Sequence, residues 1–220
     1  MQWRNIGIGC AVAVVIFVLG GCGTPDPTRY SGLQSSSQLQ PNSRDETGRI
    51  PYRYTTQTDW RSYSRIMIEP VEIYRGPDQQ FGDMSEADKQ ALAAYMKFKF
   101  AERLQPAFAV ADSPSPSTLR LKLTLTGAAT NSAVLSTVTK FDLAGGLYNG
   151  VQAVRGGEGM MGGAVIYAVE LYDSTSGQLL ESYITKQFPN AMNVGASIGS
   201  LAAAKKGIEK GAEALAAELN

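Results

Sequence analysis

The strongest constraint on the fold is a run of alternating residues near the middle of the chain. In residues 118–126 (TLRLKLTLT), leucine occupies every second position and polar residues fill the positions between. Side chains of a β-strand point alternately to the two sides of a sheet, so this run predicts a strand with one apolar and one polar face. Such a strand is typical of a sheet that is covered on one face.

Neighbouring segments predict the other strands of this sheet. Residues 65–74 (RIMIEPVEIY) alternate in two phases on either side of Pro70, which predicts an edge position or a bulge. Residues 108–111 predict a short strand. Residues 164–173 and 178–186 predict a hairpin around the turn sequence STSG at 174–177.

Two helices are predicted, one after the first strand and one at the end of the chain. Ser85 followed by acidic residues indicates a helix start, and Pro106 ends the helix. Its apolar stripe is Ala87, Ala91, Ala94, Phe98 and Ala101, widened by Leu92, Met96, Phe100 and Leu104. The second helix covers residues 194–219, with a seam of Ile198, Leu201, Ile208, Ala212, Leu215 and Leu219.

The predicted order is therefore β-α-β-β-β-β-α over residues 60–220. This order predicts an α+β two-layer sandwich, with a mostly antiparallel sheet of about five strands and two helices on one face.

The N-terminus has the pattern of an export signal. Residues 6–19 are uncharged and apolar and follow Arg4, and the run is shorter than the roughly 20 residues that span a bilayer. The next residues, Leu19-Gly20-Gly21-Cys22, resemble the lipobox of bacterial lipoproteins. The alternative is an uncleaved signal anchor in which Cys22 has no special role.

The lipobox resemblance implies a set of processing steps. Residues 1–21 would be removed as a signal peptide by cleavage between Gly21 and Cys22, and Cys22 would carry lipid such as palmitate. Because Gly23 rather than Asp follows the cysteine, the resemblance favours the periplasmic face of the outer membrane over the inner membrane.

The segment behind the cysteine predicts a flexible tether. Residues 23–49 are rich in Ser, Gln, Pro and Gly, and we place the lipid anchor and tether at 22–59. Aromatic and arginine residues then alternate within residues 52–65, where they could stack on a ligand or pack against the domain. We favour packing.

A Gly-rich insertion at 127–163 either binds a partner or a membrane, or folds over the sheet.

Composition and motifs argue against catalysis. The chain has no histidine, which removes the usual general base near neutral pH and the commonest metal ligand. Residues 195–199 (GASIG) spell a nucleophile elbow, but Ser197 has no histidine partner, so a hydrolase that pairs it with a lysine is a minor alternative. Residues 157–162 (GEGMMG) spell a dinucleotide fingerprint without the strand–helix context that it needs.

We therefore predict no catalytic residue, no cofactor and no metal site. The acidic residues Glu69, Glu72, Glu170 and Asp173 are expected to be solvated. Lys+Arg and Asp+Glu both number 20, so no net charge attracts nucleic acid as a partner.

Three motifs carry a family resemblance: the lipobox, IEPV at 68–71, and DSTSGQLL at 173–180. With them, most of residues 30–220 resembles the bacterial lipoproteins of the domain of unknown function 3313. That group has no assigned activity, so the resemblance implies no site residues. The element order also looks like small periplasmic lipoprotein domains of curli export and cell-wall synthase activation, an analogy of fold only.

The function expected from the sequence is a non-catalytic binding or adaptor module of the cell envelope. Its partners would be the lipid bilayer, through acylated Cys22, and an envelope protein or the cell wall. The alternative is a subunit of an outer-membrane export or assembly complex. The sequence does not indicate the oligomeric state.

Overall fold

The computed structural model describes residues 25–130, 163–189 and 200–220, and shows a single sheet with helices on one face. Its central strand is β6 (Thr118–Ala128), which pairs with β7 (Val165–Asp173) in the antiparallel direction. Strand β8 (Leu179–Gln187) is antiparallel to β7. The predicted hairpin is confirmed, and its turn uses Gly177 at φ +70°, a conformation that glycine adopts without strain.

On the other side of β6 the strands run parallel to it. Strands β3 (Arg65–Ile68) and β4 (Glu72–Ile73) pair one after the other with β6, and Pro70 lies between them. This confirms the predicted break at Pro70. Strand β5 (Ala109–Val110) pairs with β3 and ends the sheet on this side.

The opposite edge is formed by two strands that the sequence did not predict. Strand β1 (Gln40–Pro41) pairs with β2 (Tyr52–Thr55), and β2 pairs with β8. The order across the sheet is β1-β2-β8-β7-β6-β3-β5, with β4 beside β6. The sheet has eight strands rather than about five because residues 65–74 divide into two and the N-terminal segment adds two more.

Both helices pack on the leucine face of β6, as predicted. Helix α1 (Glu86–Leu104) begins at Ser85, whose hydroxyl accepts a hydrogen bond from the Asp88 N–H. Helix α2 (Ala202–Leu219) covers β7 and β8 and contacts α1. Among the described residues, none of the helices combines the length and apolar character needed to cross a bilayer.

One part of the predicted helix stripe is wrong. The side chains that α1 buries are Leu92, Ala93, Met96, Phe100 and Leu104. Phe98, which we expected to face the core, is 60% exposed, and Ala91 and Ala94 are exposed as well. The large residues at four-residue spacing set the orientation of the helix, because they bury more apolar area than a stripe of alanines.

Helix α2 lies unusually close to the sheet at two glycines. A Cβ atom on Gly207 would lie 2.7 Å from the carbonyl oxygen of Gln187, and one on Gly211 would lie 1.6 Å from the hydroxyl of Tyr167. Tyr167 is fully buried beneath the helix, and its ring meets that of Phe100 edge-on. The absence of a side chain at these positions therefore sets the distance between α2 and the sheet.

The predicted tether is folded wherever the structure describes it. We expected 22–59 to be flexible and the domain to begin at residue 60, but residues 25–39 lie across the face of the sheet opposite the helices. We call these residues the strap. Tyr30 and Leu39 of the strap are buried against Ile166 and Ile184. A polar composition misled the prediction because a few apolar side chains are enough to dock the segment.

Candidate functional site

The strap is held at mid-sheet by a buried polar cluster. The backbone N–H of Ser35 donates to Oε1 of Glu170 at 2.8 Å, and the Ser35 and Ser182 hydroxyls lie 2.7 Å apart. The hydroxyl of Tyr172 also donates to Glu170 Oε1, at 3.1 Å. Among the described residues, no group hydrogen-bonds to the second oxygen of Glu170.

Burial gives this cluster a structural role. Glu170 is 0% exposed, and Ser35 and Ser182 are closed off with it. Two serine hydroxyls beside a carboxylate resemble nucleophile machinery, yet a substrate has no access to them. A buried carboxylate is costly unless hydrogen bonds compensate it, so Glu170 ties the strap to β7 and β8. The sequence interpretation of Glu170 as solvated is therefore wrong.

A second group of polar contacts holds the first turn of the strap. The hydroxyl of Tyr74 donates to Asp78 Oδ1 at 2.7 Å and accepts from the Gly32 N–H at 2.9 Å. Asp78 also accepts from the Ser31 N–H at 2.9 Å. The hydrogen bond from Tyr74 lowers the pKa of Asp78, which stabilises the carboxylate in this position.

The edge hairpin of β1 and β2 is fixed on the helix side by an arginine. Arg53 forms ion pairs with Glu181 of β8 and Glu218 of α2, and its guanidinium lies 5.5 Å from the centre of the Tyr183 ring. Burial raises the pKa of Glu181, and the charge of Arg53 opposes that effect. The charge of Arg53 is thus shared between two carboxylates.

Two clefts open on the surface of this N-terminal region. The first, which we call the hairpin cleft, has a volume of about 700 Å³ and is lined by Pro41, Asn42, Ser43, Arg44, Asp45, Ile50, Arg53 and Thr55. The second, the strap cleft, has a volume of about 600 Å³ and is lined by Thr28, Arg29, Tyr30, Ser31, Leu33, Gln34, Ser36, Ser37 and Asp78. Apart from Asp78, every lining residue belongs to the segment that we predicted to be a tether.

The charged groups of the hairpin cleft differ in their availability. The Asp45 carboxylate closes its own loop by accepting from the N–H groups of Thr47 and Ile50. Arg53 is paired with two glutamates, as described above. The backbone N–H of the exposed Arg44 donates to Asn42 Oδ1 at 3.3 Å, whereas its guanidinium has no hydrogen-bond or ion-pair partner within the described part of the chain. Arg44 is therefore the charged group best placed to meet a ligand in this cleft.

Several predicted features fall outside the described residues. These include Gly21 and Cys22, the fingerprint at 157–162, Ser197, and the insertion 127–163 except for its first four residues and its last. Among the described residues, no group of three or more potential metal ligands comes together.

The aromatic segment at 52–65 is packed against the domain, as we favoured. Trp60 and Tyr63 pack against the core between the sheet and the helices, and Tyr52 packs against the core between the sheet and the strap. The Tyr63 hydroxyl donates to Asp173 at 3.2 Å. Sequence reasoning missed Glu170, Ser35 and Ser182. For Glu170 a signal was present, since a single carboxylate inside the apolar run VIYAVELY indicates a buried partner rather than solvent.

One protein family matches most of the chain. Residues 29–215 match the family described as "Protein of unknown function (DUF3313)". The chain belongs to this family. The matched region begins inside the strap and includes both edge strands, so the folded N-terminal segment is part of what the family shares.

Comparison with curated proteins found no match. Among solved structures, the dodecamers of a single-residue PelC variant and of PelC itself, both from Paraburkholderia phytofirmans, are similar, with TM-scores of 0.39 and 0.37 and identities of 11% and 9%. The similar regions cover 74% and 73% of this chain, and 93% and 94% of the respective PelC chains. A putative neuraminyllactose-binding hemagglutinin homolog from Helicobacter pylori has a TM-score of 0.32 at 12% identity, covering 76% of this chain and 88% of its own. Similarities at this level carry no functional argument.

Proposed function

We propose that this protein is a non-catalytic binding module of the cell envelope, anchored by lipid on Cys22 at the periplasmic face of the outer membrane. The observation that carries the proposal is that the segment following Cys22 forms the walls of both clefts. The anchor and the ligand-binding surface are thereby parts of one continuous stretch of chain.

The hairpin cleft favours an acidic, polar partner. Within the described residues the Arg44 guanidinium is its unpaired cation, and Ser43 adds a hydroxyl beside it, while the Asn42 amide and the Thr55 hydroxyl already hydrogen-bond to the backbone. A carboxylate or phosphate group meets an arginine with charge-assisted hydrogen bonds. Within the envelope, such groups occur on proteins and on the cell wall, which are the two partner classes expected from the sequence.

The polar groups of the strap region support binding rather than catalysis. The buried cluster of the Ser35 and Ser182 hydroxyls and the Glu170 carboxylate is closed to solvent and holds the strap in place. The chain also contains no histidine that could act as a base. A fluorophosphonate probe that labels the folded protein at Ser197 would contradict this part of the proposal.

Photo-crosslinking in intact cells tests the binding surface. A benzoylphenylalanine at Ser43, in the hairpin cleft, is expected to give a discrete adduct that mass spectrometry identifies as an envelope protein or a cell-wall fragment. The matched control is the same probe at the exposed Lys97, on the outer side of α1. Equal adducts from both positions, or none from Ser43, would refute the cleft as the binding site.

A charge variant sharpens the crosslinking experiment. With the probe at Ser43, the additional change Arg44→Ala is expected to reduce the adduct at least several-fold, because the free cation of the cleft is lost. Arg61→Ala removes an equally exposed arginine outside the cleft and should leave the yield unchanged. An Arg44 variant with full crosslinking would exclude an acidic ligand at this position.

Anchoring is tested separately by labelling cells with an alkyne analogue of palmitate. The wild type and Cys10→Ser should both carry the label, because Cys10 lies within the predicted signal peptide. Cys22→Ser should carry none and should accumulate with its signal peptide attached. Membrane retention of a correctly cleaved Cys22→Ser protein would refute the lipid anchor.

A further inference from the structure

The point at which the chain enters the fold is fixed close to Cys22. The side-chain amide of Gln80 donates to the carbonyl oxygen of Asp26 at 2.9 Å, and the Asp26 carboxylate, on a side chain that is 98% exposed, lies 3.7 Å from Nζ of Lys186. Pro27, the next residue, is buried. Asp26 is therefore part of the domain rather than of a loose tether.

Cys22 precedes this fixed point by only four residues. A fully extended chain spans at most about 3.5 Å per residue, so Cys22 cannot lie more than about 14 Å from Asp26. The forty-residue tether expected from the sequence would have allowed the domain to turn freely above a membrane. A reach of this length keeps the region around Asp26 at the membrane surface.

Asp26 is located at one end of the sheet. Gln80, which holds it, forms a β-bridge with Gly127 near the end of β6, and Lys186 is near the end of β8. Strand β7 begins at this end with Val165 and runs to Asp173, eight residues later. At about 3.3 Å per residue, the turn at 174–177 is roughly 26 Å farther from the anchor.

The strap, like β7, runs away from this end of the sheet. From Asp26 it passes Tyr30, beside Gln80, and reaches Ser35 over Glu170 in the middle of β7. The chain thus enters at the end of the sheet and proceeds away from it across the face.

From this geometry we infer that the end of the sheet around Asp26 and Gln80 is a membrane-contacting surface whose partner is the lipid surface of the bilayer. The turn at 174–177 then points away from the membrane. The inference rests on the proposed acylation of Cys22 and adds an orientation to it, one that exposes the far end of the sheet to partners across the periplasm.

The test uses the acylated full-length protein in vesicles of phosphatidylethanolamine and phosphatidylglycerol that contain a headgroup-nitroxide lipid. In the mature protein the thiol of Cys22 is blocked by lipid, so one added cysteine can carry a fluorophore. Asp83→Cys places it on an exposed residue near the anchor end, and Thr175→Cys places it in the far turn. We expect the label at Asp83 to be quenched at least three-fold more than the label at Thr175.

Two further arms make the result decisive. A 20-residue Gly/Ser insertion after Thr24 should abolish the difference between the labels if the short reach sets the orientation. Equal quenching without the insertion, or stronger quenching at Thr175, overturns the orientation while leaving the anchor intact. Flotation of the same vesicles separates the two proposals, since protein that does not float with the lipid refutes the lipid anchor and the orientation together.

Discussion

At the scale of single residues, the buried polar cluster around Glu170 shows how one carboxylate can hold a polar segment in place. Glu170 accepts from the backbone of Ser35 and the hydroxyl of Tyr172 in a site that excludes water. Buried donors that lose their acceptor cost about 1–3 kcal/mol each, more than the net value of an ordinary hydrogen bond.

Glu170→Ala is therefore expected to lower the free energy of unfolding by about 3 kcal/mol, since it leaves two buried donors without an acceptor. Glu170→Gln should cost less, because the amide oxygen can still accept from Ser35. Urea denaturation measures both. Glu46→Ala, at an exposed position, should remain within about 0.5 kcal/mol of the wild type. A Glu170→Ala protein as stable as this control would show that the cluster does not hold the strap.

Glu181 gives a pH dependence of stability with a definite sign. Burial raises its pKa in the folded protein above the ordinary value of 4.5, so the folded state binds the proton more tightly than the unfolded chain. Proton binding at Glu181 therefore contributes stability that is fully present below about pH 4.5. This stability is lost as the pH rises through the raised pKa of the folded state.

The free energy of unfolding of the wild type, taken relative to Glu181→Gln and measured by urea denaturation at a series of pH values, should accordingly fall as the pH rises from 4 to neutrality. Glu218→Gln removes the other partner of Arg53, at a side chain 31% exposed, and should leave that fall in place. Equal slopes for the wild type and Glu181→Gln would show that burial of Glu181 does not govern the pH dependence.

At the scale of elements, the close approach of α2 depends on glycine. The hydroxyl of Tyr167 occupies the space that a side chain at position 211 would need. Inserting a methyl group into a packed core typically costs about 1–3 kcal/mol.

Gly211→Ala is expected to destabilise the protein by about 2 kcal/mol, read from the midpoint of thermal or urea unfolding. Tyr167→Phe removes the atom at 1.6 Å and leaves Cζ at 2.9 Å, so the double variant should recover part of the loss. Gly207→Ala is the matched comparison: its nearest contact is the backbone oxygen of Gln187, so Tyr167→Phe should not rescue it. Equal rescue of both glycine variants would contradict this packing argument.

At the scale of the whole molecule, the strap makes the sheet a three-layered structure over part of its area. Helices cover one face, and residues 25–39 cover part of the other. Burying a large apolar side chain contributes about 1.5–3 kcal/mol, so the buried residues of the strap form a substantial part of the stability of this small domain.

Leu39→Ala, at a fully buried strap position, is expected to lower the free energy of unfolding by about 2–5 kcal/mol. It should also increase hydrogen exchange at backbone amides of residues 30–39. Gln38→Ala changes the exposed neighbouring residue and should have little effect on either measurement. If Leu39→Ala left both unchanged, the strap would not be a stabilising layer.

Local sequence patterns were sufficient to predict several strands and the start of a helix. Alternating leucines identified β6, the STSG turn identified the hairpin of β7 and β8, and Ser85 identified the start of α1. Backbone conformation at these places follows from neighbours within a few residues, so periodicity and capping are sufficient.

The covering of the second face of the sheet depends instead on contacts between residues far apart in the sequence. Ser35 meets Glu170 across 135 residues of sequence, and no local pattern records that contact. A polar segment with few apolar side chains is typical of a tether until its partners are known. Long-range contacts of the same kind hold Asp26, the fourth residue after Cys22, at one end of the sheet.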